Sequence, residues 1–195
     1  TISPWEGRLM CTGLVGPGEM AKIITVKEAA ELVQDGAVIG SAVQGMTGWP
    51  EEIGLAIENR FMETGHPSGI THIHGAGQGD FGRMSEDGKT CRGECALAHD
   101  GLLSCSIHGH AGCSFKVTKQ IVDNKILAYC IPQGQFAQLY RSMAGGEPGK
   151  ITKVGLGTFI DPRIDGGKMN EITMSAPDIS EVVTIGGEEY MRYKP

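Results

Sequence analysis

Several common protein classes leave marks that this chain lacks. Only 17 of its 195 residues are Lys or Arg, against 23 Asp or Glu, giving a net charge of −6. A protein that grips nucleic acid through its phosphates needs a basic face, so no nucleic-acid partner is expected. No apolar run approaches the roughly 20 residues of a membrane span. The N-terminus also lacks the basic start and apolar stretch of a signal peptide. The expectation is therefore no membrane attachment and a cytoplasmic location. Aromatic residues are sparse at 6%, but hydrophobic residues reach 40%, ordinary for a globular domain.

The familiar catalytic and cofactor signatures are missing too. The six cysteines, Cys11, Cys91, Cys95, Cys105, Cys113 and Cys130, form no C-x-x-C pair, so a zinc framework is not expected. Cys105 and Cys130 sit in apolar contexts and read as small core residues. Cys113, before a probable helix start, is a weaker candidate for a reactive thiol. There is no G-x-x-x-x-G-K-[ST] phosphate loop and no G-x-S-x-G elbow. HGAGQGD (His74 to Asp80) gives only G-x-G-x-G, a weak dinucleotide signal. His72 and His74 alternate on one strand face, as do His108 and His110. No carboxylate or cysteine completes a familiar ligand spacing, so these read as hydrogen-bonded structural histidines and no metal is expected.

What is abundant is glycine, 30 residues, clustered where strands should end. Thr25 to Glu28 is a capping box that should open a helix running to about Val33. Ala37 to Val43 suits a buried strand. Pro50-Glu51-Glu52 starts a helix with proline at its first position and acids in its first turn. Ile70 to His74 is a second strand. Further on, the pattern predicts a helix over Ala96 to Leu103, a strand over Cys105 to His108 and a helix over Phe115 to Asp123. Then come a strand over Ile126 to Cys130, a helix over Phe136 to Met143 and a strand over Lys153 to Thr158. Gly186-Gly187 between two strand-like runs predicts a hairpin. About five strands separated by helices are the grammar of an α/β fold with an open, mostly parallel sheet and flanking helices. Glycine loops after such strands gather at the carboxyl edge of the sheet, where ligands bind.

Five stretches, in this order and spacing, carry a resemblance: DGAVIGSAVQGMTGWPEEI (Asp35 to Ile53), GAGQGD, AHDGLLSCSIHGHAG (Ala98 to Gly112), NKILAYCIPQG (Asn124 to Gly134) and VGLGTFIDPRIDGGKMNEIT (Val154 to Thr173). Together they resemble the N-terminal, α-type half of family I coenzyme A transferases, above all the fused type acting on acetate, propionate or 3-oxo acids. The resemblance covers roughly residues 22–193. It implies the fold shared by coenzyme A transferases and sugar-phosphate isomerases. It implies a homo-oligomer, no permanently bound cofactor, and coenzyme A, acyl-CoA and a short-chain carboxylate as substrates. It also implies ping-pong chemistry through a glutamyl-CoA thioester.

By the same resemblance Gln133, in the Pro-Gln-Gly stretch, is an oxyanion donor, and Gly134 and Gly77 lie beside the substrate. Ala42, Val43, Gln44 and Gly45 belong to the glycine-rich loop next to the CoA and acyl groups. Many two-subunit members have Gly-Gly-Phe where this chain has Ala42-Val43-Gln44, which bears on acyl specificity. The family's nucleophilic glutamate lies in a Glu-Gly-x-x-Gly motif that does not occur among these 195 residues. The expectation is a leader over 1–19, an N-terminal transferase domain over 20–195, and a glutamate supplied by a C-terminal half or β subunit. Two other readings stay open. One is a sugar-phosphate isomerase using Asp80 or Asp161 as its acid; the other is a non-catalytic small-molecule or partner-binding domain.

Overall fold

The computed structural model describes residues 23–42, 48–78 and 92–195. The expected α/β architecture is present. Four strands, β1 (Val38–Ser41), β2 (Ile70–His74), β3 (Leu103–His108) and β4 (Leu127–Cys130), form one parallel sheet in the order β1-β2-β3-β4. Helices α1 (Val26–Glu31), α2 (Glu51–Thr64), α3 (Phe115–Val122) and α4 (Gln133–Ala144) flank it. The capping box forms as read: the Glu28 backbone N–H donates to Thr25 Oγ1, and the Thr25 backbone N–H donates to the Glu28 carboxylate. Pro50 is the N-cap of α2 rather than its first helical residue, and Gly65 closes that helix in the left-handed region at φ 74°.

Two expectations fail, each at a glycine. Instead of a helix over Ala96 to Leu103, a 3-10 turn spans Gly93–Leu97 and the chain enters β3 at Leu103. Gly101 at φ +93° turns it, and Leu103 then pairs with Ile70. Instead of a strand over Lys153 to Thr158, a short β5 (Lys150–Thr152) is followed by turns. Gly155 and Gly157 take φ values of 104° and 69°, which a strand does not contain. Gly155 also lies directly beneath the Tyr193 hydroxyl. The fifth strand therefore does not extend the parallel sheet. It joins β6 (Ser180–Ile185) and β7 (Glu188–Tyr193) in a separate antiparallel sheet ordered β5-β7-β6. The β6–β7 hairpin turns at Gly186 and Gly187 as read, both at positive φ, as a type I′ turn demands.

The parallel sheet buries both faces. One carries Ile73, Ile107, Tyr129, Phe136 and Leu139, and also packs Met191 and Tyr193 of the second sheet. The other joins Ile70, Leu103 and Ala128 to Ile57 of α2 and to Val117 and Ile121 of α3. Short α5 (Glu171–Met174) is tied to the sheet by Asn170, whose amide donates to the carbonyls of Ile121 and Ile126, and by Thr173, whose hydroxyl accepts from the Ala128 N–H. The segment after β5 is thereby folded back against β4. Towards its carboxyl edge the second face changes character. Ser41, His72, His74, Ser106 and His108 replace apolar residues there, all buried. No helix among the described residues is long and apolar enough to cross a membrane.

Candidate functional site

A cavity of about 340 Å³ opens at the carboxyl edge of the sheet, lined by Ser41, Ala42, Gly75, Gln133, Gly134, Phe136, Ala137 and Tyr140. Each strand-end glycine loop serves it differently. Ser41 ends β1, Gly75 follows β2, and Gln133 opens α4 directly after β4. The N–H groups of the first turn of a helix have no intrahelical acceptor, and the helix dipole is positive there. With no charged side chain among the described lining residues, what the cavity offers a ligand is the oriented dipole at the start of α4. Gln133 also borders the Gly109 backbone so closely that a methyl group at 109 would collide with the Gln133 side chain and the Gly75 carbonyl at once.

Of the residues singled out from sequence, Gln133, Gly134 and Ala42 meet in this cavity. Val43, Gln44 and Gly45 lie outside the described residues, as does Asp80. Gly77 lies apart from the cavity wall: it is buried against Cys113, where a Cβ would come within 2.7 Å of that residue's Cβ. Ser41, Gly75 and Tyr140 were missed. Tyr140 had a readable signal, because positions 133, 136, 137 and 140 share one helical face. Its hydroxyl donates to the Ile73 carbonyl at 2.8 Å, tying α4 to the end of β2. Burial pushes that phenol up to about 12, so it stays neutral.

Behind the cavity lies the polar cluster. Ser41 Oγ is 2.7 Å from His72 Nε2. His74 Nδ1 lies 3.0 Å from the Ala76 carbonyl, and its Nε2 is 3.2 Å from Ser106 Oγ. Ser106 Oγ in turn lies 3.0 Å from His108 Nδ1. A carbonyl only accepts, so His74 Nδ1 carries the proton and Nε2 receives the Ser106 O–H; His108 Nδ1–H then donates to Ser106. His72, His74 and His108 are thus each within hydrogen-bond distance of a buried hydroxyl. His110 lies beyond β3 and is exposed, 3.9 Å from the half-buried Cys113 thiol.

Sequence reasoning missed Glu94, whose carboxylate is fully buried beside His72 and His74 at 3.8 and 3.4 Å. Nothing in sequence spacing joins it to residues some twenty positions away. The three residues place one donor atom each within 4.8 Å, the separation a metal site would show. His74 Nδ1, however, holds its proton for the Ala76 carbonyl, so in this arrangement that nitrogen offers no lone pair to a cation. A nucleophilic Ser41–His72–Glu94 relay also fails, because 3.8 Å is beyond hydrogen-bond reach. Burial pushes the Glu94 carboxyl up to about 8, with the Ser114 hydroxyl and Gln78 N–H moderating the rise. Burial likewise lowers His72 well below its usual range, and His74 and His108 to about 4 and about 3.

These shifts set a pH profile for stability. Unfolded, Glu94 ionises near 4.5, whereas folded it keeps its proton to about 8. Its contribution is therefore present below 4.5 and lost as pH rises through 8. The imidazoles act the other way: they take protons near 6.5 when unfolded but only far lower when folded. Their contribution is present above 6.5 and lost as pH falls. Stability is expected to peak near pH 6.5. The Glu94→Gln variant, which cannot ionise, is expected to be more stable than the parent by up to roughly 5 kcal/mol at pH 9. Thermal melts across pH 5–9 check this; equal melting temperatures for the two at pH 9 would refute it.

Asp161 is buried and clasped by the Arg163 guanidinium through two hydrogen bonds, with the backbone N–H groups of Arg163 and Gly157 donating to it as well. The guanidinium holds this carboxyl well below the usual carboxylate range. It is a fixed anion, unsuited to the proton-transfer role an isomerase would require.

A parallel α/β sheet with a cavity at its carboxyl edge, and no charged side chain among the described lining residues, frames the site. Residues 23–195 match the family model for coenzyme A transferase. The chain belongs to the coenzyme A transferase family. It is 43% identical over 175 residues to a caffeate CoA-transferase of Acetobacterium woodii, covering 90% of this chain and 32% of that protein. It is 33% identical to the acetate CoA-transferase YdiF of Escherichia coli K12, covering 88% and 31%. The crystal structure of the E. coli O157:H7 acyl-CoA transferase YdiF, as a thioester complex with CoA, superposes with a TM-score of 0.76 at 32% identity, covering 88% of this chain and 32% of that one. Glutaconate coenzyme A-transferase from Acidaminococcus fermentans shares the fold, with a TM-score of 0.57 at 15% identity, covering 89% and 53%. The chain thus spans about a third of the length of the curated relatives it matches.

Proposed function

We propose that residues 20–195 form the N-terminal domain of an acyl-CoA:carboxylate CoA-transferase, with residues 1–19 a leader. The convergence of Gln133 and the α4 N-terminus with the ends of β1 and β2, in a cavity of a coenzyme A transferase family member with no charged side chain among its described lining residues, carries this reading. A glutamate from outside these residues, on a C-terminal half or β subunit, attacks the thioester carbonyl carbon. The CoA thiolate leaves and an acyl-glutamyl anhydride forms. The thiolate then attacks the glutamyl carbonyl, releasing the first carboxylate and leaving a glutamyl-CoA thioester. The second carboxylate reverses these steps and departs as the new acyl-CoA. Each attack develops an oxyanion, which the Gln133 amide stabilises by donating a hydrogen bond, as a placed donor does in acyl transfer.

CoA is a substrate in this scheme, and no resident cofactor or metal takes part. The exposed Val154, Phe159, Ile164, Met169 and Met174 form apolar surface that supports further protein contact, either with the remaining half or within a homo-oligomer. A cytoplasmic location suits soluble CoA esters. The fixed Asp161 anion weighs against the isomerase alternative.

The test is isotope exchange between acetyl-CoA and labelled acetate. The isolated chain is expected to give no exchange above background, and a form extended by a segment bearing Glu-Gly-x-x-Gly is expected to give it readily. Exchange by the isolated chain would overturn the external glutamate. An inert extended form would overturn the transferase reading. Relatives named for caffeate and for acetate bracket acids of very different size, which leaves acyl choice to the cavity walls.

A further inference from the structure

A second cavity adjoins the first across Ser41 and Ala42, the two residues that line both. It encloses about 270 Å³, and its walls include Ile39, Trp49, Ile53, Ile57 and Leu97. No charged side chain lines it among the described residues. A cavity of about 150 Å³ with comparable aliphatic walls is large enough for benzene, so this one has room for a ring and several further carbons.

The wall nearest the sheet is held in an unusual way. The Trp49 indole lies on α2 at Gly54, where a Cβ would come within 2.8 Å of the ring. Its edge meets the His72 ring at 5.8 Å between centroids. In this position Trp49 Nε1 is buried with no hydrogen-bond partner among the described residues. A buried N–H left unpaired costs free energy, so fold stability alone does not account for where the ring sits. A role as a binding wall does.

Polarity gives an occupant one orientation. A carboxylate or thioester carbonyl entering this cavity would lose its hydration with little to replace it, since Ser41 Oγ is engaged by His72 and Trp49 Nε1 packs against Gly54. The same group is satisfied next door, at the α4 N-terminus and Gln133. We infer that the second cavity receives the apolar tail of the acyl group, an alkyl chain of about four or more carbons or an aryl ring, and so sets which acids are exchanged. The inference rests on the transferase reading for the identity of the carboxyl end. Acetate, with no tail to bury, gains nothing from this cavity, whereas each methylene buried there strengthens binding several-fold.

The test uses the full chain carrying Trp5→Phe, which leaves Trp49 as its single tryptophan. It is titrated with 3-phenylpropanoate, hexanoate and acetate, reading Trp49 fluorescence and the methyl resonances of Ile53, Ile57 and Leu97. CoA is titrated in parallel. The two tailed acids are expected to shift the Trp49 emission saturably and move all three sets of methyl signals, and acetate to do neither. Ile53→Phe, which fills the cavity from the half-exposed side of α2, is expected to weaken 3-phenylpropanoate binding about tenfold. If that variant fails to fold, the methyl shifts in the parent decide. CoA binding with no response to the tailed acids overturns this inference and leaves the transferase reading standing. A response to the tailed acids without CoA binding overturns the transferase reading and keeps the cavity. No binding of either overturns both.

Discussion

Replacing Gln133 with alanine in the exchange-competent extended form is expected to lower turnover by about 10²–10³-fold, with much less change in KM for acyl-CoA. The side chain belongs to the first residue of α4, and it lines a cavity with no charged side chain among its described residues. In such surroundings a single placed donor contributes about 3–4 kcal/mol to an oxyanion that exists only in the transition state. The thioester ground state carries no such charge, so the loss falls on kcat. Gln133→Glu is expected to be worse than alanine, because its carboxylate accepts where a donor is required and repels the developing charge. Steady-state exchange rates across a range of acyl-CoA concentrations separate the two constants. A rise in KM with kcat intact would reassign Gln133 to ground-state binding.

The sequence revealed those parts of the molecule whose causes are local. The Thr25–Glu28 capping box is written within four residues, and the Gly186-Gly187 turn within two. The alternation of Ile70 to His74 needs no partner to be read as a strand. Gln133 was legible through the resemblance, but its place at a helix start was not: the pattern opened that helix at Phe136, whereas α4 begins at Gln133 with Pro132 as its N-cap. What stayed hidden depends on residues distant in the chain. Lys153 to Thr158 reads as a strand until Gly155 is seen to sit under the Tyr193 hydroxyl, nearly forty positions away. Glu94 looks like any acid in a polar stretch, and only the fold buries it against His72 and His74. Ser41 and Trp49 likewise gain their meaning from cavities that α2 and α4 complete on opposite sides of one strand end. Buried polar clusters of this kind carry no periodic signature, because each member takes the place of an apolar residue within an otherwise ordinary pattern.

Gly109→Ala is expected to damage stability and activity together, and the comparison with Gly134→Ala shows why. Gly109 follows β3 and runs between the Gly75 carbonyl and Gln133, and a Cβ there would lie far inside van der Waals contact with both. Neither neighbour has an easy retreat. The chain around Gly75 is pinned by the Gly109 N–H donating to the His74 carbonyl at 3.3 Å and the Gly77 N–H donating to the His110 carbonyl at 2.7 Å. Gln133 is anchored by the start of α4. Overpacking against backbone of this kind costs about 1–3 kcal/mol, which in a chain of this size lowers the melting temperature by several degrees. Any relief comes from pushing Gln133 or Gly75 outward, which misplaces the proposed oxyanion donor, so exchange in the extended form is expected to fall at least tenfold. At Gly134 a Cβ meets nothing within 4 Å, and the residue lies in the first turn of α4. Alanine there is expected to raise stability by about 0.5–1 kcal/mol through helix propensity. Melting curves of the two variants measured side by side check the pair. Equal behaviour would mean that the close approach of β3 to Gln133 does not constrain the site, and the placement of the oxyanion donor would then need another cause.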